Sequence, residues 1–187
     1  MKISRFLTIS LIIVAFVLGI GTGYLITPQY SMSKYESAQM TDLGNADKYL
    51  DLRYLNAMIA HHREAILLAK QAKDKTERQE IKKLAEDILA EEPGAIAELY
   101  QWKKEWYKDT KKVKDSSVPN LGDFDEKFDL RFLNALIAHH EEGLMMAEEI
   151  KLKSIRNEVL NNADTVTNSL TDGLTVLKEW RAQWYLK

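Results

Sequence analysis

The stretch DLRYLNAMIAHH at residues 51–62 returns as DLRFLNALIAHH at residues 129–140, a shift of 78 positions. The register extends outward without a gap. Leu43-Gly44 falls on Leu121-Gly122, Arg78 on Arg156, Ala85 on Ala163 and Leu99 on Leu177. Trp102, Trp106 and Tyr107 fall on Trp180, Trp184 and Tyr185. Self-similarity over such a period means one supersecondary unit used twice. The units are residues 42–107 and 120–187. A charged linker at 108–119, closed by Pro119, joins them.

Each unit reads as a helical hairpin. In the first copy Leu55, Met58, Ile59, His62, Ala65, Ile66 and Ala69 recur at helical spacing, which predicts a helix from about Asp47 to Ala72 and its twin from Asp125 to Ile150. Asn56, Arg63 and Lys70 mark the wet face. Asp47 and Asp125 suit a helix start, where a carboxylate meets free N–H groups. The second helices are expected over residues 77–107 and 155–185, with an apolar stripe through Ile81, Leu84, Ala85, Ile88, Ile96, Leu99, Trp102 and Trp106. Glu92 interrupts that stripe at a core position. Pro93-Gly94 should kink or break the first copy. One hairpin cannot cover its own stripe, but two can cover each other, so the expected fold is an all-α four-helix bundle.

Composition narrows the function. The chain has 187 residues, 45% apolar and 29% charged, with a formal charge of −2, 8 Gly, 3 Pro and no Cys. Disorder, disulfide scaffolding, thiolate metal sites and thiol nucleophiles are excluded. No basic excess exists to neutralise nucleic-acid phosphates. At the N-terminus, Lys2 and Arg5 precede an apolar run over residues 6–26. That is long enough for a helix to span a bilayer, which takes ~20 residues, and the positive flank keeps the N-terminus inside. We therefore expect residues 1–26 to be a transmembrane signal anchor and residues 27–41 a tether. The domain then lies outside the cytoplasm, in the periplasm or at the cell surface. It is secreted if Gly19-Ile20-Gly21 serves as a cleavage exit. The basic run Lys103, Lys104, Lys108, Lys111, Lys112 and Lys114 reads as a solvated linker. The Trp-x-x-x-Trp pairs read as packing at the ends of the core.

All four histidines lie in the two His-His pairs. On a wheel of ~100° per residue, His61 falls about 40° to one side of the core direction and His62 about 60° to the other. Both reach the interior, as do His139 and His140. Met58 lies three residues before His61. Met146 shares the side of His139, whereas Met145 faces the wet side. Buried imidazoles need partners, because an unpaired buried polar group costs ~1–3 kcal/mol. A metal ion can be that partner, or the four rings form a satisfied polar core. Imidazole suits zinc, copper, nickel or iron, and thioether selects Cu(I). His and Met without Cys, outside the cytoplasm, favour copper, with zinc and silver as alternatives. The candidate ligands are His61, His62, His139, His140, Met58 and Met146. The Glu-x-x-His signature of di-iron bundles is absent. The reversed spacing places Glu64 and Glu142 beside the wet face. Glu92 either orients a histidine or borders the break at Pro93. No phosphate loop, Ser-His-Asp order or nucleophile elbow is present, so no enzyme activity is expected.

The framed pattern Asp51-x-x-Tyr54-Leu55-x-x-Met58-Ile59-x-His61-His62-x-x-Ala65-Ile66 resembles the signature of the DUF305 family. It recurs from Asp129 to His140 and is followed by Leu84-Ala85-x-x-Ile88 and Leu99-x-x-Trp102. The resemblance covers nearly all of residues 42–187. It implies a ferritin-like four-helix bundle, exported or membrane-anchored, with copper handling as the function of some members. This chain departs from the family pattern in being poor in sulfur. Leucines stand at 68, 136, 99 and 177, where methionine is common. The second helices carry Glu92 and Ala95, then Leu170 and Gly173. The expected role is copper sequestration or delivery. The alternative is a structural module that docks a protein partner and holds no metal.

Overall fold

Four helices account for the regular structure in the computed structural model, which describes residues 42–114 and 117–185. They are α1 (Leu50–Lys73), α2 (Gln79–Tyr107), α3 (Phe128–Lys153) and α4 (Asn157–Tyr185). No strand occurs among the described residues. Helices α1 and α2 form one hairpin, α3 and α4 the other, and α1 packs on α3. The apolar run at 6–26 and the tether at 27–41 lie outside the described residues. None of the four helices is long and apolar enough to cross a membrane.

The expected periodicity is realised as burial. Tyr54, Leu55, Met58 and Ile59 on α1, and Phe132, Leu133, Leu136 and Ile137 on α3, are shut away from solvent. The core has two related halves. One gathers Tyr54, Met58, Leu99, Met146 and Ala163, and the other Phe132, Leu136, Ile81, Leu68 and Leu177. Repeat symmetry converts Met58 to Leu136 and Met146 to Leu68, so the two sulfurs buried among the described residues sit in the same half.

Asp51 and Asp129, the first residues of the repeated motif, lock the hairpins to one another. Asp51 accepts from Ser154 Oγ at 2.7 Å and from Arg156 Nε at 3.0 Å. Its twin Asp129 accepts from Thr76 Oγ1 at 2.7 Å and faces Arg78 Nε at 3.5 Å. Each aspartate thus holds the turn of the opposite hairpin, and α1 and α3 run antiparallel. The same arginines lie over the half-buried ends of the tryptophan pairs. The Arg156 guanidinium is 4.2 Å from the Trp106 ring and Arg78 is 4.1 Å from Trp184. Within each pair the indoles stack at 5.2 and 5.3 Å.

Four local expectations are corrected. The first and third helices start three residues later than Asp47 and Asp125. Those aspartates form the preceding turn, accepting from the backbone N–H of Tyr49 and Lys127 and pairing with Arg53 and Arg131. Gly44 and Gly122 take left-handed φ values of 73° and 74° there. This lets the preceding carbonyls of Leu43 and Leu121 turn toward those arginines. The α2 helix runs through Pro93-Gly94 without a break. Both residues are exposed, so the Leu89 carbonyl that loses its partner can meet water. Arg63 is not on a wet face, because the linker folds over it and takes its guanidinium at Val113 O, 2.7 Å away. Lys103 is not part of a solvated run. It is 2% exposed, and its ammonium holds the linker at Lys111 O, 2.7 Å away.

Pro93→Ala should restore the missing bond inside α2 and raise stability by up to ~3 kcal/mol. Urea unfolding reads the change. An unchanged or lowered midpoint would contradict this account of α2.

Candidate metal centre

The site forms where α1 crosses α3. His61 Nε2–H donates to the His139 carbonyl at 2.9 Å, and His139 Nε2–H donates to the His61 carbonyl at 2.9 Å. A carbonyl only accepts, so both rings carry their proton on Nε2. The rings stack with centroids 3.7 Å apart and planes 17° from parallel. Such close approach needs room in the backbone, and Gly143 supplies it. A Cβ at Gly143 would lie 2.7 Å from His61 Nε2 and 2.5 Å from the Leu170 side chain. Glycine inside a helix costs ~1 kcal/mol relative to alanine, so its presence here has a packing reason. Gly173 makes the same space for His140, whose Nε2 would be 2.5 Å from a Cβ there.

The outer ring of each pair lies beside its partner. Centroids are 6.2 Å apart for His61 and His62, and 5.9 Å for His139 and His140. Here the two copies diverge. Glu92 on α2 accepts a hydrogen bond from His62 Nδ1. This answers the question left by sequence: α2 does not break at Pro93, and Glu92 orients a histidine. Its counterpart is Leu170, so His140 has no carboxylate. A carboxylate on Nδ1 fixes the tautomer and leaves Nε2 with a free lone pair, the arrangement seen behind metal-bound imidazoles. That His62 Nε2 is buried and has no hydrogen-bond partner. Nor have His139 Nδ1 and His140 Nδ1, although the Leu136 carbonyl lies near the His140 ring and favours its protonated form.

Burial sets the charge state. It holds His61 well below the ordinary imidazole value, aided by the adjacent His139 ring. Burial likewise lowers His139, and burial, with the cost of charging a ring beside His139, takes His140 to about 4. These rings are neutral near pH 7, and a neutral imidazole nitrogen is what a metal ion needs.

A cavity of about 440 Å³ reaches the site from outside. Residues 117–121, where the linker enters the second repeat, form one wall, and Glu64, Glu142, Asn134 and His139 form others. Glu64 and Glu142 are half-buried, more enclosed than the surface position expected from the wheel. Burial and the nearby Glu64 raise the Glu142 carboxyl. Met58 and Met146 are 0% and 3% exposed, one helical turn from His61 and Gly143 along their helices, and Met145 is exposed as expected.

Of the six sequence-selected residues, His61, His139, Met58 and Met146 are buried, and His62 and His140 are half-buried at the margins of the core. The structure brings His61 and His139 into contact, and it spends one nitrogen of each on a backbone carbonyl. Among the described residues no three His, Asp or Glu side chains are gathered closely enough to hold a metal ion. The donor chemistry fits a soft or borderline cation, because three buried imidazole nitrogens lack partners. The finished cage is not assembled. Helical spacing alone does not mark Gly143 and Gly173 as positions that make room for the rings. Their signal was a glycine inside an otherwise regular helix.

Two predictions follow from this geometry. Gly143→Ala should press on the stacked pair and cost ~1–3 kcal/mol in urea unfolding. No loss would mean the rings have slack. The second concerns acid. The unfolded chain binds histidine protons near pH 6.5, whereas folded His140 resists protonation down to about 4. Between these values the unfolded state holds more protons, so metal-free stability should be full above pH 6.5 and fall as pH drops. The decline should begin before carboxylates titrate. A flat midpoint from pH 6.5 to about 5 would contradict the buried neutral imidazoles.

The chain matches the DUF305 family, described as a domain of unknown function, over residues 51–120 and 113–181. The two matches correspond to the two repeats. Among solved structures, CopM in its Cu(I)-bound form is 30% identical with a TM-score of 0.63, over 71% of this chain and 95% of that one. CopM in its Cu(II)-bound form is 29% identical with a TM-score of 0.61, over 72% and 97%. A DUF305 protein of Streptomyces coelicolor shares the fold at 17% identity and a TM-score of 0.62, over 70% and 89%. No curated protein matches. CopM has also been seen with silver and in an apo form. With two family matches that span both halves and a copper-bound relative of the same architecture, the chain belongs to the DUF305 family.

Proposed function

We propose that this protein binds copper outside the cytoplasm, tethered by its N-terminal apolar segment, and acts by sequestration or delivery without turnover. The observation that carries the reading is the set of buried imidazole nitrogens without partners, next to a histidine whose tautomer Glu92 sets. Leaving three such groups unpaired costs ~1–3 kcal/mol each, a penalty that a bound cation removes. The relative CopM, bound to Cu(I), Cu(II) and silver, supports a soft or borderline ion.

The residues divide by role. His62 offers Nε2, with Glu92 as its positioning residue. His140 and His139 offer Nδ1. His61 and the Nε2 of His139 serve the fold, because both are spent on the helix crossing. This gives the polar-core alternative its due for half of the imidazole set. Met58 and Met146 supply thioethers on one side of the crossing, which favours Cu(I) there. Glu64 and Glu142 place carboxylates along the cavity that leads to His139, where they draw a cation inward.

Titration of the purified protein with Cu(I), Cu(II) and Zn(II), read by native mass spectrometry, tests the reading. The parent should take up copper, and the double variant His62→Ala with His140→Ala should lose most of it while keeping its helicity. Glu92→Ala should weaken uptake by ~10–100-fold. Equal copper content in the parent and the double variant would remove the proposal.

A further inference from the structure

The two ends of the molecule are built alike but surfaced differently. The α1–α2 turn reads Lys73-Asp-Lys-Thr-Glu-Arg78, and its counterpart between α3 and α4 reads Lys151-Leu-Lys-Ser-Ile-Arg156. The basic residues and the bonded hydroxyl are kept, and the same aspartate–arginine lock holds both turns. Asp74 and Glu77 become Leu152 and Ile155. These two are 88% and 97% exposed, so the fold gains nothing from them. The change extends to the neighbouring entry turn, where Lys48 and Tyr49 stand in place of Glu126 and Lys127. Tyr49 is 48% exposed, with the Lys48 ammonium 4.9 Å from its ring.

This is also the end at which the described chain begins. Leu43 N–H donates to Glu149 at 3.0 Å, and Lys153 donates to the Gly44 carbonyl at 2.7 Å. Residue 42 is therefore fastened beside the Leu152–Ile155 turn. The fifteen residues 27–41 separate it from the apolar run at 6–26. Apolar tips flanked by lysine and a tyrosine form the combination that settles at the headgroup level of a bilayer. Lys151 and Lys153 have carboxylate partners on the helix flanks, and the turn itself carries no acid.

We infer that the α3–α4 turn rests in the surface of the membrane that holds the N-terminal segment, with Leu152 and Ile155 inserted among anionic headgroups. The bundle then stands on the bilayer by two supports and keeps the α1–α2 turn pointing away. This rests on the membrane tether proposed above. The occupant is lipid. A protein partner would have no reason to favour the end at which the tether leaves, nor would it call for lysines beside the apolar pair.

The absence of cysteine gives a clean test. The full chain carries one environment-sensitive dye, at Ile155→Cys or at the counterpart Glu77→Cys, and is reconstituted into vesicles of phosphatidylglycerol and phosphatidylcholine. The dye at 155 should emit to the blue and lose much of its intensity to a lipid-borne quencher, whereas the dye at 77 should do neither. Leu152→Asp should reduce the quenching at 155, and vesicles of phosphatidylcholine alone should weaken it. A chain that survives an alkaline wash in the vesicle pellet but shows equal, unquenched emission at both positions overturns the inference and leaves the tether intact. A blue shift insensitive to the lipid quencher means protein covers the turn, and it overturns the inference too. A chain washed out of the pellet overturns both tether and inference.

Discussion

The reciprocal bond between His61 and His139 constrains everything around it. Two imidazoles 3.7 Å apart cannot both be cations, since two charges at that spacing repel strongly, and burial disfavours a charge on either one. Each spends its N–H on the carbonyl of the other helix. The result fixes where α1 and α3 cross and in what register. It also demands a residue without a side chain at 143, where α3 passes the His61 ring. Once the crossing is fixed, the adjacent histidines on each helix are carried to the margins of the core, where α2 and α4 pass.

Duplication gives the molecule a near-twofold plan, and the departures from it fall on the candidate donors. The structural devices are kept in both copies: the Asp51 and Asp129 locks, the Arg53 and Arg131 turns, and the stacked tryptophans. The groups suited to metal binding are not. Glu92 orients His62, and Leu170 leaves His140 alone. Both buried methionines fall in one half of the core. A duplicated unit that keeps its frame in both copies can vary its donors in one of them.

The neutrality of His61, His139 and His140 would couple stability to the proposed metal binding. Burial disfavours the imidazolium, which keeps lone pairs available near pH 7. It also leaves buried nitrogens unpaired, a cost borne by the folded protein. Stabilisation by a bound ion would come from relieving that cost, and acid would work against both folding and binding for the same reason.

Much of this was legible in the residues. The repeat, the helical spacing and the scarcity of glycine and proline determined an all-α fold of four helices, because two amphipathic hairpins have no other surface to bury than each other's. The wheel placed His61, His62, His139 and His140 inward, since a helix fixes the direction of its side chains. Other features depended on tertiary structure. Spacing could not show that His61 and His139 would spend Nε2 on backbone carbonyls, because those carbonyls belong to a helix 78 residues away. Nor could it show that the linker covers Arg63, or that α2 continues through an exposed Pro93. The role of Glu92 turned on which of two neighbours lay within hydrogen-bond reach. Periodicity determines which way a side chain points, and only packing decides what it meets.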